Sequence, residues 1–232
     1  MDKAKEIHIN TQLKNVPLFS NLSDRQLDMI YTAGIIRKFT KGHVIVHQND
    51  DPGDTFYIVV SGRVKVTLLS LDGKEIVLAV LKECDFFGEL SLLDNEPRSA
   101  SVIVMEDATL FLLTQMQFHR LITAHPDILR KVLNEICGRL RHADEKIESL
   151  AFLDVYGRTF SVLQQLAHDR GIKTKNGVEI LNAPTHQELS SFVGTSRETI
   201  TRIIKLLKES RNLVSYKGRK IILREYCSKP VI

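Results

Sequence analysis

From Ile35 to about Thr114 the chain alternates apolar and polar residues in short runs, broken by turn-forming residues at Lys41-Gly42, Asp51-Pro52-Gly53-Asp54, Ser61-Gly62 and Asp72-Gly73. Turn signals recurring about every ten residues predict a series of short strands closing into a barrel or sandwich. Asp72-Gly73 reads as a hairpin tip. The period then changes. Leu129, Leu133, Ile136, Leu140, Ala143, Ile147 and Leu150 follow one another at alternating separations of 4 and 3 residues, the heptad seam of a long helix. Such a seam needs a partner. A parallel homodimer coiled coil supplies one, and packing against the chain's own barrel is the alternative.

Phe152-Leu153-Asp154 reads as a hinge, Arg158 to Ala167 as a further helix, and Asp169 to Gly177 as a polar loop. Thr185-x-x-Glu188 and Thr195-x-x-Glu198 both have capping-box spacing, in which a threonine hydroxyl and a glutamate satisfy the free N–H groups of a helix start. Gly194 separates the two helices, which makes a helix-turn-helix. In the second helix Ile200, Ile203, Ile204 and Leu207 form the buried stripe and leave Arg197, Glu198, Thr201, Arg202, Lys205 and Lys208 on the other faces. Leu213 to Leu223, with Lys217-Gly218 at its tip, reads as a basic hairpin wing.

Charge sharpens this division. From Arg158 to Ile232 there are 14 Lys/Arg against 6 Asp/Glu, a net of +8, and the first 157 residues carry −4. A basic module joined to a mildly acidic one implies a polyanion partner for the C-terminal part. No apolar run approaches the roughly 20 residues of a membrane span, and Met1 to Asn10 has no signal-peptide core, so a cytoplasmic location and no membrane partner are expected. Cys84, Cys137 and Cys227 lack metal spacing. His43 and His47 would lie about 13 Å apart on one strand, so no metal is expected. No nucleophile elbow, Walker loop, HExxH or paired-acid constellation is present, and an enzyme is not expected.

Three stretches, "FGELSLLDNEPRSA" (Phe87 to Ala100), Thr185 to Leu213 and "LAFLDVYGR" (Leu150 to Arg158), resemble the cAMP receptor protein/fumarate-nitrate regulator family of bacterial transcription factors, and the likeness runs along essentially the whole chain. The resemblance implies an α+β fold. Residues 1–127 would form a cyclic-nucleotide-binding β-roll, a jelly-roll-like barrel, with flanking helices. Residues 128–154 would supply the dimerisation helix and hinge, and 155–232 a winged helix-turn-helix. The fumarate-nitrate branch needs an N-terminal cysteine cluster for its iron–sulfur sensor, and residues 1–83 contain no cysteine.

In this family the first stretch is a phosphate-binding cassette. Arg98 would offer a permanently charged planar fork to the cyclic phosphate and Ser99 a hydroxyl and an N–H, with Leu90 and Ala100 completing the pocket. Glu89 would accept from the ribose 2′-hydroxyl, and Gly88 would let the backbone approach closely. A plain Glu89–Arg98 ion pair in a surface loop is the competing reading. Arg139 matches a family arginine that braces the cassette glutamate. The branch holds adenine with a Thr-Ser pair, and the matching positions here are Ala143 and Asp144. Ala143 offers no hydrogen bond and Asp144 can only accept, so the effector is cAMP held mainly by sugar and phosphate, or another nucleotide such as cGMP or cyclic di-GMP.

At the DNA end, "TSRETITRIIK" (Thr195 to Lys205) resembles the family's recognition helix. Arg197 and Arg202 would donate to guanine, and Glu198 would accept from cytosine unless it is spent on its own cap. A palindromic TGTGA-like operator follows. Thr185, Gln187, Ser196 and Thr201 join the DNA-facing set, and Lys205, Lys217 and Arg219 are phosphate contacts. The partners implied are double-stranded DNA, a second copy of the chain and RNA polymerase. Ligand would shift the dimer to an arrangement with recognition helices about 34 Å apart. A cyclic-nucleotide-binding regulatory subunit without DNA is the alternative function, and it leaves the +8 module unexplained.

Overall fold

The structure, a computed structural model, describes residues 13–70, 72, 74–210, 213–217 and 219–224. Cys227 and the hairpin-tip residues Gly73 and Gly218 lie outside the described residues. The chain divides into two compact units, one of residues 1–70 and 77–141 and one of residues 71–76 and 142–232.

The first unit is built on six strands: β1 (Ile35–Phe39), β2 (Val44–Val46), β3 (Thr55–Leu69), β4 (Glu75–Leu81), β5 (Phe86–Phe87) and β6 (Ser101–Thr114). The order is β1-β6-β3-β4, with β2 paired to β6 and β5 to β3. The expected closed barrel does not form, because β1 and β4 end the path of an open sheet. Nor are all the strands short. β3 and β6 run 15 and 14 residues and pair from Thr55↔Thr114 to Thr67↔Ser101.

The reason is that both faces of the β3–β6 spine find cover. Phe56, Ile58, Phe111 and Leu113 enter one core with Leu13, Phe19, Leu27, Ile30, Phe118 and Ile128. Val59, Leu110 and Leu112 enter a second with Val64, Leu81, Phe87 and Val102. A strand buried on both faces reads as a continuous apolar run, as in Phe56 to Val60, and closure is not needed to hide it. Ser61-Gly62 is also no turn. It lies inside β3, where the register with β6 shifts. Gly62 has φ +85°, and a Cβ there would lie 2.3 Å from the Asp107 carbonyl oxygen.

Helices α1 (Asp24–Ala33), α2 (Glu89–Asp94), α3 (Gln115–Ala124) and α4 (Pro126–Phe152) complete the first unit and lead out of it, α4 continuing unbroken into the second. Pro126 suits a helix start because its missing N–H costs nothing there. Ile128 and Val132 are buried and Ile136 packs on the same core. The predicted seam is therefore split. Ile136 faces its own sheet, whereas Leu133, Leu140, Ile147 and Leu150 are exposed, Leu140 and Ile147 by 62% and 63%. The outward residues 133, 140 and 147 keep the seven-residue repeat.

Between α4 and α5 (Val155–Arg170) only Leu153 and Asp154 are non-helical. Asp154 Oδ1 caps α5 by accepting from Gly157 N at 2.7 Å, and the Leu153 carbonyl accepts from Arg158 Nη1 at 3.0 Å. The second unit continues with β7 (Gly171–Thr174), β8 (Gly177–Leu181), α6 (His186–Val193), α7 (Arg197–Glu209), β9 (Leu213–Lys217) and β10 (Lys220–Leu223). Its sheet has the order β7-β8-β10-β9. Asp169 to Gly177 is thus not a loop, since most of it forms a hairpin pairing Ile172↔Glu179 and Lys173↔Val178. Leu163, Ala167, Ile180, Leu189, Ile200, Ile204, Leu207 and Ile221 form the core.

Gly62→Ala should lower stability by about 1–3 kcal/mol through backbone strain and the clash with Asp107. Urea denaturation checks this, with the same fold expected below the transition.

Candidate functional site

The cassette begins where β5 pairs with β3 through Tyr57↔Phe87 and Ile58↔Phe86. Gly88 follows in the left-handed region and is the N-cap of α2. A Cβ on it would lie 2.8 Å from the Thr55 carbonyl oxygen and 2.9 Å from Arg98 Nη1, so a larger residue would force the two apart. Asn95, also left-handed, ends α2, and residues 96–100 return the chain to β6.

Glu89 is 2% exposed. Its Oε1 accepts from Arg139 Nη1 at 3.1 Å, and its Oε2 is buried with no hydrogen-bond partner among the described residues. Arg139 is itself fixed, donating from Nη2 to the Phe86 carbonyl at 2.6 Å and pairing through Nε with Glu135 at 3.3 Å. Its guanidinium carbon stands 4.9 Å from the centroid of the Phe86 ring. Burial pushes the Glu89 carboxyl above the usual carboxylate range, and the Arg139 charge and Glu89's own backbone N–H oppose that rise. A buried, half-satisfied carboxylate is a group that favours a hydroxyl donor.

Arg98 is 6% exposed. It donates from Nη1 to the Gly88 carbonyl at 3.0 Å and from Nη2 to the Thr55 carbonyl at 3.1 Å. Its backbone bonds Asp50 O and Asn49 N, at 3.0 and 2.8 Å. Gly53 clears its way, since a Cβ there would fall 1.9 Å from Nη2. Glu89 and Arg98 therefore have other partners, and neither lies in an exposed loop. Ser99 and Leu90 are exposed, whereas Ala100 is buried. Ala143 and Asp144 are exposed on α4, four and five residues beyond Arg139. The roles of Thr55, Phe86 and Gly53 were not legible, because a carbonyl acceptor leaves no mark on residue type and Asp51-Pro52-Gly53-Asp54 reads simply as a turn.

In the helix-turn-helix the first capping box is present. Thr185 Oγ1 accepts from Glu188 N at 3.1 Å and Glu188 Oε2 from Thr185 N at 2.7 Å. Gly194, left-handed at φ +73°, ends α6. The second box is not formed. Ser196, one residue later than Thr195, caps α7, its Oγ accepting from Thr199 N at 3.2 Å. A box from Ser196 would need a Glu or Gln at position 199, which is Thr, so Glu198 takes no part in the cap. Ile200, Ile203, Ile204 and Leu207 are buried, and Ser196, Arg197, Glu198, Thr201, Arg202, Lys205 and Lys208 are exposed. Thr185, the N-cap of α6, and Gln187, in its first turn, are exposed. Arg219 lies on the wing with Nη2 3.9 Å from Glu188 Oε2, and the Lys217 side chain lies outside the described residues. Among the described residues no cluster of three or more His, Cys, Asp or Glu could hold a metal ion.

Residues 36–125 match the cyclic nucleotide-binding domain and residues 157–226 the Crp-like helix-turn-helix domain. The chain is 35% identical over 203 residues to the cAMP-activated global transcriptional regulator CRP of Salmonella typhimurium, across 87% of this chain and 95% of that one. Among solved structures it is similar to the c-di-GMP responsive global regulator CLP of Xanthomonas campestris, with a TM-score of 0.78 and 24% identity over 88% of this chain and all of that one. It is also similar to the catabolite activator protein of Thermus thermophilus, at a TM-score of 0.53 and 31% identity over 90% and 94%. A likeness that spans both modules and nearly the full length of a curated relative places the chain in the Crp/Fnr family of DNA-binding transcription regulators, and its matched cyclic nucleotide-binding domain makes it a cyclic-nucleotide-responsive member.

Proposed function

We propose that the cassette holds a cyclic mononucleotide by its sugar and phosphate. The observation that carries this is the buried Glu89, whose unpartnered Oε2 suits a ribose 2′-hydroxyl. Arg98, Ser99 and the adjoining backbone face the phosphate, Gly88, Leu90 and Ala100 shape the pocket, and Arg139 braces Glu89. The effector is cAMP, in keeping with the cAMP-activated relative. cGMP is the second reading, because Asp144 stands at the sequence position that matches the family's base contact, can only accept, and guanine presents both N1–H and N2–H donors to a carboxylate. Calorimetric titration with cAMP, cGMP and cyclic di-GMP side by side separates these, and heat from none of the three overturns the cassette reading.

The protein works as a homodimer through the outward stripe of Leu133, Leu140, Ile147 and Leu150, and ligand shifts its population to the DNA-binding arrangement. The dimer reads a palindromic TGTGA-like operator with Arg197, Glu198 and Arg202, while Lys205, Arg219 and Lys217 contact phosphates. RNA polymerase is the further partner and the cytoplasm the location. No helix among the described residues is long and apolar enough to cross a membrane.

Glu89→Gln keeps an acceptor for Arg139 and removes the charge. Nucleotide affinity should fall about 10- to 100-fold, the range expected for a hydrogen bond to a charged group. Stability should move the other way. A carboxyl whose folded pKa is raised stabilises the fold below its unfolded pKa, and that contribution is lost as pH rises through the folded value. The ligand-free variant should therefore melt above the wild type at pH 7, and the gap should close in acid.

Sedimentation should give about twice the 26.4 kDa chain mass, and Leu140→Glu with Ile147→Glu should halve it. On operators substituted one base pair at a time, Arg202→Ala should cost about 1–3 kcal/mol and relax preference at one guanine. Arg219→Ala should weaken all sequences alike and lower the salt slope by about one. An equal loss on every operator from Arg202→Ala would show that Arg202 does not read a base.

A further inference from the structure

One titratable side chain of the helix-turn-helix has no part in the base-reading scheme. His186 is the first residue of α6, directly after the Thr185 cap. Its Nδ1 lies 3.0 Å from Thr201 Oγ1 on the recognition helix. The Thr201 hydroxyl donates its single hydrogen to the Arg197 carbonyl at 3.0 Å, so towards the histidine it can only accept. In that arrangement Nδ1 carries the hydrogen and Nε2 is the nitrogen that gains or loses a proton. The ring leans on Tyr216 with centroids 4.9 Å apart, and Tyr216 is anchored by a hydrogen bond from its hydroxyl to the Pro184 carbonyl. His186 is thus held from the recognition helix on one side and the wing on the other. Its partner Thr201 is exposed on the face that also carries Arg197 and Arg202.

The groups around the ring, among the described residues, set its charge. Arg197 and Lys208 on α7 oppose protonation, after burial, which is the larger effect, and together they hold His186 below its ordinary 6.5. On the wing, Tyr216 stays un-ionised, its hydroxyl pushed up to about 12 by burial first and by Glu188 second. Glu188, on the histidine's own helix, is engaged with the Thr185 cap and lies 3.9 Å from Arg219. The free protein therefore presents a neutral ring at pH 7.

We propose that His186 is a proton-linked phosphate contact: on DNA its Nε2 takes up a proton and donates to the phosphate backbone, while Nδ1–H keeps Thr201 and the recognition helix in register. The inference rests on the DNA-binding role of this module. The first helix of a helix-turn-helix crosses the backbone, and side chains at its start are placed to meet phosphates. Phosphates also neutralise the fields of Arg197 and Lys208 that keep the ring uncharged, so protonation is easier in the complex than in the free protein. With the bound pKa above the free one, a proton is taken up on binding. Affinity then rises as pH falls through the interval between the two values.

The test is fluorescence anisotropy on a labelled random-sequence duplex at fixed low ionic strength, from pH 6 to pH 8, since a phosphate contact requires neither operator nor effector. For each protomer in contact with the duplex, wild type should bind about 3- to 10-fold tighter at pH 6 than at pH 8, where one unit of pKa difference corresponds to tenfold per proton. His186→Asn retains an N–H for Thr201 and loses the titrating nitrogen, and its pH dependence should shrink to less than about twofold. His186→Arg carries a fixed charge and should bind at pH 8 as tightly as wild type does at pH 6. Melting curves establish that both variants are folded. A folded His186→Asn protein with the wild-type pH slope, or a wild type with no slope, overturns the inference and leaves the DNA-binding role intact. A wild type that binds no duplex at any pH overturns both.

Discussion

A carboxylate taken out of water has to be answered by positive charge or by hydrogen bonds, and among the described residues Glu89 has a side-chain partner on one oxygen only. Much of the first unit is arranged to make that tolerable. Arg139 must reach Oε1, so α4 must lie against the sheet in one register, and Val132 and Ile136, seven and three residues earlier on the same face, fix it there by burial. Phe86 contributes twice, its carbonyl holding the Arg139 guanidinium and its ring lying beneath it. The lone oxygen left over is where the fold stops being self-sufficient. A half-satisfied buried charge is a cost in the free protein and a source of affinity for whatever hydroxyl arrives.

The same economy explains which parts of the fold were legible. The seven-residue stripe on α4, the apolar stripe of α7 and the Thr185–Glu188 box are written in residue type at fixed spacing, and each is present. Short alternating runs and recurring turn signals suit a closed barrel and an open sheet equally, so closure is not written in the pattern. In β3 and β6 consecutive residues, such as Ile58 and Val59, enter different cores, so the spine is dry on both sides and the sheet has no need to close. Ser61-Gly62 carries the composition of a turn, but a left-handed glycine serves a bulge equally well, and only the strand opposite decides between them. The Asp169 to Gly177 hairpin was hidden by its Lys, Thr and Asn, which suit loops and exposed edge strands alike.

At the DNA end the shift of one residue in the cap of α7 has a chemical meaning. Two hydroxyl residues, Thr195 and Ser196, stand in line, and it is the second that caps the helix, with an extended backbone and its Oγ accepting from Thr199 N. Composition cannot separate them. The outcome releases Glu198 from helix duty and leaves its carboxylate on the exposed face with Arg197 and Arg202. The cassette glutamate and glycine stood out in the sequence as residue types. Their partners are mostly carbonyl oxygens, which every residue possesses and which only the folded chain brings into place.

Arg98 holds the Gly88 and Thr55 carbonyls with its guanidinium and the Asp50 and Asn49 backbone with its own, inside a space that Gly53 keeps open. The side chain thereby ties two separate stretches of chain together, and the backbone of the same residue holds a third. A replacement of this side chain therefore releases the Gly88 and Thr55 carbonyls from each other, so its loss is a structural event as well as a chemical one. Ala143 and Asp144 carry no comparable duty on the open face of α4, and substitutions there leave the scaffold standing.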